Sequence, residues 1–118
     1  MARILLADDD KGALDLVRRA LELDGHKVVT AEDGSEAQSL MQSGRFDLLV
    51  TDVQMPGLDG IALAKDAVAR HAGIRIVLMS AYAEGLDRAA PLVAGGARVL
   101  VKPFAIDRIR AEVRAAMA

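Results

Sequence analysis

Five short apolar runs punctuate the chain, at Ile4–Ala7, Val28–Ala31, Leu48–Thr51, Ile76–Met79 and Val99–Val101. They are too short for helices, rich in Val, Ile and Leu, and without polar alternation, so they read as strands covered on both faces. Between them the apolar positions change period. Leu14, Val17 and Leu21 recur at helical spacing, with Arg18, Arg19 and Glu22 on other faces. Ile106, Ile109, Val113 and Met117 repeat the pattern near the end, among Asp107, Arg108, Arg110 and Arg114. Gly25, Gly34, Gly44, Gly73 and the Gly95–Gly96 pair mark segment ends. Five strands alternating with five helices predict an α/β protein built on a parallel sheet with helices on both sides. The fourth helix, expected over Glu84–Ala94, contains Pro91, which must open, kink or shorten it. The chain shows no internal repeat, linker or low-complexity segment.

In an open parallel sheet, ligands bind outside the carboxyl ends of the strands, where strand order reverses. The polar residues that follow the apolar runs are therefore the candidates. They are Asp8, Asp9 and Asp10 after the first run, Asp52 after the third, Ser80 after the fourth and Lys102 after the fifth. Glu32 and Asp33 follow the second run, which is expected at the sheet edge, away from the crevice. Taken singly, each has a plain alternative. Asp is a good helix N-cap, Asp52 precedes the turn formers Pro56, Gly57 and Gly60, and a lone Ser or Lys is usually structural or solvated. Lys102 is more pointed, since only four of the 15 basic residues are lysines and this one stands before Pro103. An ammonium on a flexible stem reaches a phosphoryl oxygen as a point charge. Carboxylates, a hydroxyl and an ammonium meeting at one sheet edge are the chemistry of an anion handled together with a divalent metal.

Composition narrows the classes. A chain of 118 residues is long enough for one domain with a real core and too short for two. Its net charge of −2 offers no basic field for a nucleic acid or an anionic membrane, so neither is expected as a partner. There is no cysteine, which removes disulfides and thiolate chemistry. No apolar run approaches the roughly 20 residues that span a bilayer. Met1 leads within two residues into a strand, without room for a signal peptide, so a cytoplasmic protein is expected.

These residues carry a resemblance. Over essentially its whole length the sequence resembles a receiver domain of the two-component response regulators. The likeness lies in LLADDD, in FDLLVTDVQMPGLDG around Asp52, in IVLMSAYA and in VLVKPF; the D-x-x-M-P-x-x-D-G pattern from Asp52 to Gly60 is its most specific part. The resemblance implies a flavodoxin-like, doubly wound five-stranded sheet in the order 2-1-3-4-5. It implies that Asp52 accepts a phosphoryl group from a histidine kinase or a histidine phosphotransfer protein. It further implies Mg²⁺ on Asp9, Asp52 and the backbone carbonyl of Gln54, with Asp8 acting mainly through metal-bound water. Asp10 matches no required ligand and is assigned to the start of the first helix. Lys102 would pair with the phosphoryl group, Pro103 would hold a cis bond that directs it, and the Ser80 hydroxyl would move to the phosphoryl oxygen. The charge logic agrees: an aspartate attacking a phosphoryl group is anion meeting anion, and both must be neutralised.

Two positions depart from the family. The aromatic residue that receivers usually carry three positions before this lysine is Val99 here, and the one tyrosine is Tyr82, two residues after Ser80. Tyr82 is the candidate gate in its place. Pro91 also interrupts a face that receivers often use for output. Among rival functions, an Mg²⁺-dependent aspartate phosphatase of the haloacid dehalogenase type would explain Asp8-x-Asp10. It would lack a further acidic pair after the lysine and leave the pattern at Asp52 unused. A nucleotide carrier would want glycines where three carboxylates stand. The expectation is therefore a phosphoacceptor rather than an enzyme. Sixteen residues after Lys102 leave room for one closing helix, so residues 1–118 are expected to form a receiver without an effector domain. Output would then be a protein contact or a phosphoryl transfer onward in a phosphorelay. A looser resemblance to the stand-alone CpdR receivers of alphaproteobacteria implies an adaptor role toward the ClpXP protease, active when unphosphorylated.

Overall fold

The computed structural model describes residues 1–81 and 87–118. Five parallel strands form one sheet: β1 (Arg3–Ala7), β2 (Lys27–Ala31), β3 (Leu48–Asp52), β4 (Arg75–Ser80) and β5 (Arg98–Val101). They alternate with α1 (Lys11–Leu23), α2 (Gly34–Ser43), α3 (Gly60–Arg70), α4 (Ala90–Ala94) and α5 (Ile106–Met117). The sheet order is β2-β1-β3-β4-β5, the doubly wound arrangement, with its reversal point between β1 and β3. Each expected strand is present and extends by one residue at one or both ends of its apolar run.

The pleat sorts neighbouring side chains to opposite faces, and each face has its own core. Leu5, Ala7, Leu49, Ile76 and Leu78 meet Ala37, Met41, Leu63, Ala64, Ala67 and Leu92 from α2, α3 and α4. Ile4, Leu6, Leu48, Val50, Val77 and Met79 meet Leu14, Val17, Leu21, Ile109 and Val113 from α1 and α5. The central β3 is buried throughout, whereas the outer strands β2 and β5 keep partly exposed positions. Continuous burial on both faces thus holds for the inner strands and weakens at the edges.

The fourth helix is shorter than its sequence span. Asp87–Ala89 form a 3₁₀ turn, and α4 begins at Ala90 with Pro91 in its first turn, where a missing N–H costs no helical bond. Pro91 therefore starts the helix rather than bending it. The expected beginning at Glu84 lies outside the described residues.

Candidate functional site

β1 delivers three consecutive aspartates to three different tasks. Asp8 is buried; its Oδ1 accepts the Asp10 N–H at 3.0 Å and its Oδ2 accepts Lys102 Nζ at 3.0 Å. Asp9 is exposed at the mouth. Asp10 is the N-cap of α1, its Oδ1 accepting the backbone N–H groups of Gly12 at 3.0 Å and Ala13 at 3.2 Å.

β3 ends on Asp52, which is 7% exposed. Its Oδ1 accepts the Gln54 N–H at 3.3 Å and its Oδ2 accepts Lys102 Nζ at 3.2 Å. The loop beyond is held against it by two devices. The Thr51 hydroxyl donates to the Asp52 carbonyl at 2.9 Å, and Gly60 donates its N–H to the Val53 carbonyl at 2.8 Å. A Cβ on Gly60 would lie 2.0 Å from the Asp52 carbonyl oxygen, so α3 begins this close to Asp52 only because residue 60 has no side chain.

From the other side, the Lys102 N–H donates to the Ser80 carbonyl at 2.8 Å, and the Lys102–Pro103 bond is cis. Ser80 ends β4, fully buried. Val99 sits half-buried on β5 opposite Leu78. Tyr82, the candidate gate, lies outside the described residues.

The electrostatics follow from this crowding. Burial pushes the Asp52 carboxyl above the usual carboxylate range and the Asp8 charge adds to that, while Lys102 and the Gln54 N–H pull it back. For Lys102, burial is the largest influence and acts to lower its pKa. The two carboxylates outweigh it, and the ammonium is held above its usual value.

Oxygen atoms of Asp8, Asp9 and Asp52 all lie within 4.8 Å of one another. Three hard carboxylate donors this close, with one ammonium between two of them, suit an ion such as Mg²⁺, which takes one or two carboxylates and keeps several waters. The donor set thus fits the expected metal. The three carboxylates are among the residues that follow the apolar runs in the sequence.

Sequence reasoning passed over Arg88. This residue of the 3₁₀ turn donates through Nη1 and Nη2 to Asp59 Oδ2, each at 2.9 Å. Asp59 is the N-cap of α3, its Oδ1 accepting the Ala62 N–H at 2.9 Å. Burial is the largest influence on the Asp59 carboxyl and raises its pKa, but the Ala62 N–H and Arg88 together hold it below the usual range. An open cleft of about 360 Å³ beside the end of β3 is lined by Asp9, Val53, Gln54, Met55, Pro56, Asp59 and Arg88. The D-G dipeptide before an apolar run could have flagged Asp59 as a cap. Nothing local could have flagged Arg88, 29 residues further along the chain.

Residues 4–114 match the model of the response regulator receiver domain family. The chain belongs to this family. Among curated relatives, the response regulator MprA of Mycolicibacterium vanbaalenii is 38% identical over 113 residues, which are 96% of this chain and 49% of that protein. The chain spans about half the length of the curated relatives it matches. Among solved structures, the non-phosphorylated HemR receiver domain of Leptospira biflexa superposes with a TM-score of 0.88 at 29% identity, covering 100% of this chain and 95% of that one. TrrA of Thermotoga maritima, solved in complex with Mg²⁺–BeF, superposes with a TM-score of 0.84 at 31% identity, covering 98% and 99%. This receiver domain is thus a response regulator module of a two-component system, with the flavodoxin-like fold of its relatives. It presents the acidic pocket at which receivers bind Mg²⁺, and no helix among its described residues is long and apolar enough to cross a membrane.

Proposed function

We propose that this receiver takes a phosphoryl group onto Asp52 from the phosphohistidine of a histidine kinase or a histidine phosphotransfer protein. The observation that carries the reading is Lys102 Nζ lying between Asp8 and Asp52, at 3.0 and 3.2 Å, beside a third carboxylate on Asp9. Asp8, Asp9, Asp52 and the Gln54 carbonyl would hold Mg²⁺, which when bound supplies positive charge against the phosphoryl oxygens. The chain's own residues do the rest. An Asp52 oxygen attacks, Lys102 exchanges a carboxylate for a phosphoryl oxygen, and the Ser80 hydroxyl donates to another. The Lys102–Pro103 bond orients the ammonium. In this role the domain is a phosphoacceptor in the cytoplasm rather than an enzyme acting on a separate substrate.

Output by this reading is a change in affinity for a protein partner, with neither nucleic acid nor membrane bound by residues 1–118. The looser likeness to protease adaptors makes ClpXP the first partner to test, with onward transfer in a phosphorelay the alternative. Incubation with acetyl phosphate and Mg²⁺ should add one phosphoryl group that is lost in alkali or hydroxylamine, and Asp52→Asn should abolish it. Undiminished labelling of that variant would remove Asp52 as acceptor. Capture of partners by beryllofluoride-treated and untreated protein then identifies the output.

A further inference from the structure

The cleft beside Asp52 poses a charge problem. The acceptor site holds the carboxylates of Asp8, Asp9 and Asp52 against one ammonium, and Asp59 adds a further carboxylate on the cleft wall. Mg²⁺ held by Asp8, Asp9 and Asp52 would offset those three charges, but the Asp59 carboxylate stays on the cleft wall, facing small phosphodonors such as acetyl phosphate that are themselves anions. Among the residues that line it, one is cationic: Arg88. We propose that Arg88 is the specificity-determining residue that admits anionic small-molecule phosphodonors to Asp52. The inference rests on Asp52 being the acceptor.

The way Arg88 is held suits this task. Both of its terminal nitrogens share a single oxygen of Asp59, which leaves three of the five guanidinium N–H groups without a partner among the described residues. The pair is also open to water, its side chains 55% and 31% exposed. Exposed ion pairs of this kind are weak, so an incoming phosphate can draw the guanidinium away at little cost. The planar fork then matches phosphate oxygens. Asp59 keeps its other oxygen on the Ala62 N–H, so α3 stays capped while Arg88 moves. Transfer forms a bond between an Asp52 oxygen and phosphorus and breaks the bond from phosphorus to the acyl oxygen, with acetate leaving. Arg88 binds the donor and exchanges no proton.

The competing role for Arg88 is a strut between the 3₁₀ turn and α3, and the two differ in sign. A strut is cut equally by Arg88→Gln and by Asp59→Asn. A donor guide is lost in Arg88→Gln but released in Asp59→Asn, where Asn retains the cap. The experiment follows labelling by acetyl phosphate with Mg²⁺ in wild type, Arg88→Gln, Arg88→Lys, Asp59→Asn and the double variant. A parallel titration uses acetylphosphonate, which cannot transfer its phosphoryl group, read by amide chemical shifts.

Arg88→Gln should raise the half-saturating concentration of both compounds by about three- to tenfold and flatten its dependence on salt. The change belongs in KM rather than in the maximal rate, because the contact is made before chemistry. Arg88→Lys should recover most of the loss. Asp59→Asn should lower the half-saturating concentration, and the double variant should lose that gain. Equal losses in Arg88→Gln and Asp59→Asn, or a gain that survives in the double variant, would overturn the proposal. Failure of the wild type to accept any phosphoryl group would instead overturn the role of Asp52.

Discussion

Asp8, Asp9 and Asp10 are chemically identical neighbours, and only their positions separate them. Asp8 faces inward to Lys102, Asp9 faces the cleft, and Asp10 turns back onto its own helix. Asp9→Asn should therefore weaken Mg²⁺ binding, measured by titration calorimetry, and leave stability nearly unchanged. Asp10→Ala should do the reverse, costing about 1 kcal/mol through the lost cap with the metal affinity retained. Equal effects on metal binding would mean that the register of the triplet is wrong. Gly60 gives a second test at this scale. Gly60→Ala forces a methyl group against the Asp52 carbonyl, so urea unfolding should show a loss of about 1–3 kcal/mol, the usual cost of overpacking. Phosphorylation should slow with it, because the strain falls on the backbone of Asp52, the proposed acceptor.

At the scale of elements, α1 and α5 are clasped by charge. Arg110 of α5 donates to both Asp24 oxygens at the end of α1, at 3.0 and 2.6 Å. The Arg110 hydrogen bond holds the Asp24 carboxyl below the usual range. A carboxylate with a lower pKa in the folded state stabilises the fold above its unfolded value of about 3.9, and that contribution is lost as pH falls through the folded value. Denaturation midpoints should thus place Asp24→Asn below wild type at pH 7, with the gap closing below about pH 4. A constant gap would show that the clasp works by packing alone. The end of β4 carries a different prediction. Ser80→Ala should leave Asp52 able to accept a phosphoryl group, since the nucleophile and Lys102 remain, but should blunt the difference in partner affinity between the two forms. The route outward has no aromatic side chain on β5, where Val99 stands. Hydrogen exchange on phosphorylation is therefore expected to change most in Ala81–Gly96, a span that includes residues outside the described structure, and less in Val99–Val101. Silence there with a response in α1 or α5 would move the output surface.

The whole molecule is two cores sharing one sheet. Leu48 and Leu49 are adjacent in β3, both fully buried, and belong to opposite cores. Each substitution to Ala should cost about 2–5 kcal/mol. Because the backbone of β3 carries both cores, each should shift the same single unfolding transition rather than split it. Two separate transitions in either variant would show that the faces fold independently. The shared strand also explains why function concentrates at one edge: β1, β3, β4 and β5 end side by side, and residues far apart in the chain are fixed to a common frame.

The sequence by itself determined the alternation of strands and helices, since buried parallel strands must be apolar and the helices must alternate around a face. It also placed Asp8, Asp9, Asp52, Ser80 and Lys102, because each directly follows an apolar run and a parallel sheet aligns all strand ends. It assigned Asp10 to the start of α1 because Asp there can accept the free N–H groups of a first turn. Local pattern could not decide the length of α4, because Pro91 is compatible with a kink as much as with a first turn. It could not show that Lys102 Nζ lies between two carboxylates, nor that α3 rests on the Asp52 carbonyl through Gly60. The Arg88–Asp59 pair was equally invisible. These are contacts between segments separated by tens of residues, set by how helices pack onto the sheet, and no periodicity in the chain records a distance across the fold.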